Sequence, residues 1–117
     1  MKNVVIRIKD IFPGVSFLGT RPSGEKIREM MEKVFAEGNT VTLDFAGIEG
    51  ITQSFGDEII GIFTRYYGRD FIKQNVKAVN YNGEIKEVLN WVVDYSNRWH
   101  KENKKKIGEM PFMHAFA

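Results

Sequence analysis

The chain contains no cysteine, which excludes disulfides, thiolate metal sites and cysteine nucleophiles and fits a reducing compartment. Histidine is almost as scarce. Its two copies, His100 and His114, lie in the C-terminal region, and no HxxxH pair or nucleophile motif accompanies them, so neither a zinc centre nor covalent catalysis has a sequence basis. Neither sign of charge dominates: Lys and Arg total 17 against 15 for Asp and Glu, and a net charge of +2 is far below that of a dedicated nucleic-acid binder. Long apolar runs are missing too. The N-terminal MKNVVIRIKDIF alternates polar with apolar residues, unlike a signal peptide, and no window approaches the ~20 residues of a membrane span. The expectation is a cytoplasmic protein with no membrane contact.

What is present is enough for one core. With 117 residues, 43% of them hydrophobic, the chain has the size of a single domain. Val4, Ile6 and Ile8 alternate with Val5, Arg7 and Lys9, a strand with one polar face suited to a sheet edge. Pro13-Gly14 is a type II turn signal, so Val15 to Leu18 is expected to return as the second strand of a hairpin. Ile27, Met30, Met31, Val34 and Phe35 fall at helical spacing, predicting a helix from about Ser23 to Glu37 that Gly38 terminates; its methionines are read as core filler. Later, Asn75 to Tyr81 reads as a buried strand ended by Asn82-Gly83. A helix then begins at about Glu84, with Ile85, Val88, Leu89, Val92 and Trp99 as its buried stripe. Helices alternating with strands call for crossover connections and a largely parallel sheet, made mixed by the hairpin.

Between these lies the stretch Thr40 to Phe63, TVTLDFAGIEGITQSFGDEIIGIF. Val41, Leu43 and Phe45 alternate as a strand, Gly47 and Gly50 punctuate a loop, and Phe55, Ile59, Ile62, Phe63 and Tyr66 recur on one face of a helix to Tyr67. Leu43-Asp44-Phe45, Ser54-Phe55 and Asp57-Glu58 together resemble the STAS-like domain family of unknown function, related to the STAS fold of anti-sigma-factor antagonists. The resemblance reaches back to Gly19-Thr20-Arg21 and forward to about Tyr95. It implies an α/β fold, a STAS-like mixed β-sheet with an initial hairpin packed with α-helices, over residues 1–109. Residues 110–117 follow as an apolar C-terminal tail.

In anti-sigma-factor antagonists a serine pair opens the corresponding helix, and the usual phosphoacceptor is the first of the pair, preceded by aspartate. The matching residues here are Gln53 and Thr52, so Ser54 and Thr52 are the remaining candidate acceptors and the phosphoswitch does not carry over intact. A phosphate beside Asp57 and Glu58 would meet like charge. Read from the residues alone, Ser54 is instead an N-cap paired with Asp57. Asp44, Asp57 and Glu58 are read as structural polar groups: Asp44 as an acceptor for loop amides, and Asp57 or Glu58 as an ion-pair partner for Arg21. A metal-binding or catalytic cluster would need further ligands that the chain does not offer. Thr20 and Arg21, leading a strand into a helix, are candidates for contacting an anion. The basic run Lys101, Lys104, Lys105 and Lys106, with Arg98, is read as a solvated helix end rather than a nucleic-acid patch.

The function expected from these readings is a non-enzymatic regulatory interaction module without cofactors. The resemblance implies an ATP-binding, histidine-kinase-type protein partner. Gln53 and Ser54 in the loop, with Ile60 and Tyr67 on the following helix, are its expected contact surface. The alternative is a small-anion or nucleotide-binding domain using the amides near Thr20 and Ser54. Met110, Phe112, Met113 and Phe116 in the tail are expected to pack on the body of the domain or on a second copy, which makes a homodimer one expected state.

Overall fold

A computed structural model describes residues 1–104. Residues 105–109 of the expected domain, and the tail, lie outside the described residues. The elements run β1 (Asn3–Arg7), α1 (Ile8–Ile11), β2 (Phe17–Leu18), α2 (Arg21–Ala36), β3 (Thr40–Asp44), β4 (Gly50–Ile51), α3 (Gln53–Gly56), a π-helical turn (Asp57–Gly61), α4 (Ile62–Tyr67), α5 (Arg69–Asn75), β5 (Val76–Val79) and α6 (Gly83–Glu102).

Strands β1, β3 and β5 form one sheet in that order, and every pairing in it is parallel. Val4 stands opposite Val41, Ile6 opposite Leu43, and Leu43 opposite Ala78. The alternation of a strand therefore puts these apolar residues on one face and Asn3, Arg7, Thr40, Asp44 and Lys77 on the other. The apolar face is covered by α2, by the helix running from α3 through α4, and by α6, which pack side by side. Ile27 and Met31 of α2, Phe55, Ile59 and Phe63 of the middle helix, and Ile85 of α6 belong to one core cluster with Val41 and Leu43, all without solvent exposure. At about 2 kcal/mol for each fully buried large apolar side chain, this shared layer is the main source of stability. β1 lies at the sheet edge, as its polar alternate positions imply.

The expected hairpin does not form. Pro13-Gly14 turns the chain, with Gly14 at φ +82°. Before that turn, however, the Phe12 amide bonds to the Ile8 carbonyl, and Ile8–Ile11 become a helical turn that carries Ile8 into the core. Phe17-Leu18 consequently leave β1 and pair in parallel with Gly50-Ile51 as a separate two-stranded sheet, so the strands are parallel throughout rather than mixed. Period-two alternation in Val4, Ile6 and Ile8 is indifferent to whether Ile8 ends a strand or begins a turn, and there the reading failed.

The helices follow the sequence more closely. α2 is capped by Thr20, whose hydroxyl accepts from the Ser23 amide at 3.3 Å, and it stops at Gly38, φ +77°, the left-handed position glycine favours. Met30 faces solvent rather than the core. α6 is capped by Asn82, which accepts from the Ile85 amide at 2.9 Å. α5 was not foreseen. Gly68, φ +88°, breaks the chain after Tyr67, and the seven residues that follow form a helix of their own.

Candidate functional site

The middle helix is not regular. Five residues, Asp57 to Gly61, form a π turn, so residues five apart stack where an α-helix would stack residues four apart. Phe55 is followed on the buried side by Ile60, and Ile59 by Thr64, whose hydroxyl donates to the Ile60 carbonyl at 2.7 Å. Ile62 and Tyr66, core positions at regular helical spacing, are displaced to half-exposed sites. Glycines let neighbours approach. A Cβ on Gly24 of α2 would stand 2.6 Å from the Glu58 Cβ, and one on Gly61 would stand 2.8 Å from Val92 of α6.

That close packing brings three arginines onto two adjacent carboxylates. Arg21 donates through Nη1 to Asp57 Oδ2 at 2.9 Å and to Glu58 Oε2 at 2.8 Å. Arg65, eight residues on, holds both Asp57 oxygens, at 2.5 and 3.2 Å. On the other side Arg28 reaches Glu58 Oε1 at 3.3 Å and Glu32 Oε1 at 2.6 Å. Burial alone would raise the Asp57 carboxyl; the hydrogen bonds from Arg65 and Arg21 outweigh it and hold the group below the usual aspartate range. Bonding to Asp57, then to Glu58, holds the Arg21 guanidinium above its ordinary value. The row Glu32, Arg28, Glu58, Arg21, Asp57, Arg65 is a chain of alternating charge that ties α2 to the π turn and α4.

Above it opens a cavity of about 440 Å³ between the start of α3 and the outer side of α6. Gln53 and Ser54 form one wall, and Arg21, Asp57 and Arg65 form the floor. Trp91, Tyr95 and Trp99, one turn apart on α6, form the other wall. The Trp91 and Tyr95 rings stack with centroids 5.5 Å apart and planes within 8°, yet both residues are half exposed, at 49% and 50%. Buried Ser96 closes the cavity from below, 3.4 Å from Arg65 Nη1. Among the described residues no three histidine, aspartate or glutamate side chains converge as a metal site requires.

A family model described as a STAS-like domain of unknown function (DUF4325) matches residues 23–86, more than half of the chain. The chain belongs to that family. No curated protein and no solved structure matches it. In this STAS-like domain the matched segment carries α2, the sheet strands β3 and β5, the π turn and the start of α6.

The structure rearranges several of the site readings. Thr52, not Ser54, caps the middle helix: its hydroxyl accepts from the Phe55 amide at 3.1 Å and donates to the Gly19 carbonyl at 2.9 Å. Ser54 lies inside the first turn, half-buried and facing the cavity, and the Asp57 carboxylate that would have completed its capping box is taken by Arg21 and Arg65. Ile60 is 5% exposed, carried inward by the π turn, so it cannot serve as a contact surface. Tyr67 is half-buried and stacks on Phe71 at 4.6 Å; burial, with a lesser effect from Glu32, pushes its hydroxyl well above the usual range. Thr20 is spent on the cap of α2, and Arg21 on its two carboxylates. Asp44 accepts from the Ala46 amide and the Asn80 side chain, both at 2.9 Å, which lowers its pKa, the Asn80 bond most. The Trp91–Tyr95 pair went unremarked in the sequence, although two aromatics four apart on the polar side of an amphipathic helix are a readable signal.

Proposed function

We propose that this domain is a non-enzymatic protein-interaction module that binds its partner through the aromatic wall of α6 and the adjoining start of α3. The observation that carries this reading is the exposed Trp91–Tyr95 stack beside Gln53 and Ser54. Two large aromatics held rigid by each other and left half in water offer a binding anchor at small entropic cost, and such anchors dominate interface energies. The partner we assign is an ATP-binding regulator of the histidine-kinase type, from the similarity to anti-sigma-factor antagonists, whose binding loop corresponds to Thr52–Ser54. A small-anion or nucleotide site at Thr20, Arg21 and Ser54 has less support, because each guanidinium near it is already bonded to a carboxylate.

The double variant Trp91→Ala/Tyr95→Ala tests the proposal. Binding to the ATP-binding regulator, measured by calorimetry on purified proteins, should weaken by about 100-fold or more, as for loss of hot-spot aromatics, while the unfolding midpoint stays near that of the unaltered domain. Undiminished binding by a folded double variant would sink this assignment.

A further inference from the structure

The sheet ends on β5, and among the described residues no strand pairs with its outer edge. The pairing on the inner side tells which peptide groups face out. The Val79 carbonyl accepts from the Phe45 amide at 3.0 Å, so Val79 and Lys77 turn their backbone toward β3, and Val76 and Ala78 turn theirs outward. The Val76 N–H returns to the Ile72 carbonyl, which leaves the Val76 carbonyl and both Ala78 groups on the edge. The side chains of the same two residues join Ile60, Ile72, Leu89 and Val93 in the apolar floor of a groove of about 380 Å³ between α5 and α6. Edge and groove together have the form of a site for one more strand, its backbone bonding to β5 while alternate side chains enter the groove.

We infer that this edge takes an extended segment of another protein in which apolar residues alternate with aspartate or glutamate. Charge decides the class of occupant. Lys73, in the last turn of α5, stands where β5 begins, and Lys86, in the first turn of α6, stands near where it ends. Lys77 projects from β5 itself on the opposite face of the sheet. The acid on the rim, Asp94, is held by Arg69. Lys73, Lys77 and Lys86 are exposed and pair with no carboxylate among the described residues. A strand with its apolar residues in the groove therefore finds complements for acids at its outward positions, beside Lys77, and at its two ends.

The same charges disfavour a second copy. A two-fold axis at this edge would run β5 antiparallel to itself and set Lys73, Lys77 and Lys86 of each copy against the lysines of the other. The residues of this chain after Lys104 include one acid, Glu109, against Lys105 and Lys106, and so lack the complementary charge. The groove lies across α6 from the Trp91–Tyr95 wall, which leaves the two surfaces free to be occupied independently.

The test uses the full chain and a synthetic peptide, Glu-Val-Glu-Val-Glu-Val-Glu with blocked ends. Binding should slow exchange of the Ala78 amide by about tenfold or more and leave that of Asn3–Arg7, on the opposite edge, unchanged. Lys73→Glu/Lys86→Glu, which alters exposed side chains alone, should weaken the binding measured by calorimetry by about tenfold or more. A peptide of the same composition with its valines consecutive should bind about tenfold more weakly or worse, because alternation is lost. Equal binding of the two peptides, binding without protection of Ala78, or no binding overturns the inference. So does an Ala78 amide already protected in the peptide-free protein, which would assign the edge to a second copy if sedimentation shows a dimer and to this same chain if it shows a monomer.

Discussion

At the residue scale, Thr52 and Ser54 sit two positions apart and do different work. Thr52 satisfies a free amide at the helix start and ties it to Gly19, so Thr52→Ala should lower stability by about 1 kcal/mol. Ser54→Ala, which removes no cap, should change it by less than about 0.5 kcal/mol, and urea unfolding of both variants checks the ranking. Asp57 gives a pH signature. Its pKa is lower folded than unfolded, so its contribution is complete above the unfolded value of about 3.9 and disappears as pH falls through the depressed folded value. Asp57→Asn should therefore be less stable at pH 7, by about 2 kcal/mol for a hydrogen-bonded charge, and should lose less stability than the unaltered domain on acidification from pH 5 to pH 2. Parallel acid-unfolding curves for the two proteins would contradict this.

At the element scale, the contact of α2 with the π turn depends on Gly24 having no side chain. Gly24→Ala would raise helix propensity at an interior helix position, yet a Cβ 2.6 Å from that of Glu58 forces the helices apart. Overpacking of this kind costs about 1–3 kcal/mol, more than the propensity gain, so the thermal midpoint should fall; a rise would show that the helices yield freely. The same contact explains what was legible beforehand. Periodicity located α2, β3, β5 and α6, because each presents a long stripe to one core. It could not see that Asp57–Gly61 would widen by one residue, since the groups packed and bonded against that turn from outside it, Arg21, Gly24 and Arg28, come from a distant part of the sequence. Ile60 and Ile62 accordingly exchanged their expected places. The sequence reading expects Arg21 to pair with Asp57 or Glu58, and it pairs with both, whereas Arg65 and Arg28, which complete the charge row, leave no such signal.

At the scale of the whole molecule, the two grooves lie on different sides of α6. Trp91 and Tyr95 face one, Leu89 and Val93 the other, so the helix separates the proposed partner surface from the open sheet edge. The parallel architecture was readable from the alternation of helices with strands, and the edge position of β1 from its polar face. The route of residues 8–18 was not, because a two-strand pairing as short as Phe17-Leu18 with Gly50-Ile51 leaves no periodic trace.

The π turn also bears on how this chain is to be compared with others. Five residues occupy a turn that four fill in an ordinary α-helix, so a relative whose helix is α throughout has one residue fewer between Asp57 and Gly61. Aligned without a gap there, Phe63 and Thr64 would be matched to residues about 100° around the helix, and a buried column would read as variable surface. A single-residue gap restores the correspondence.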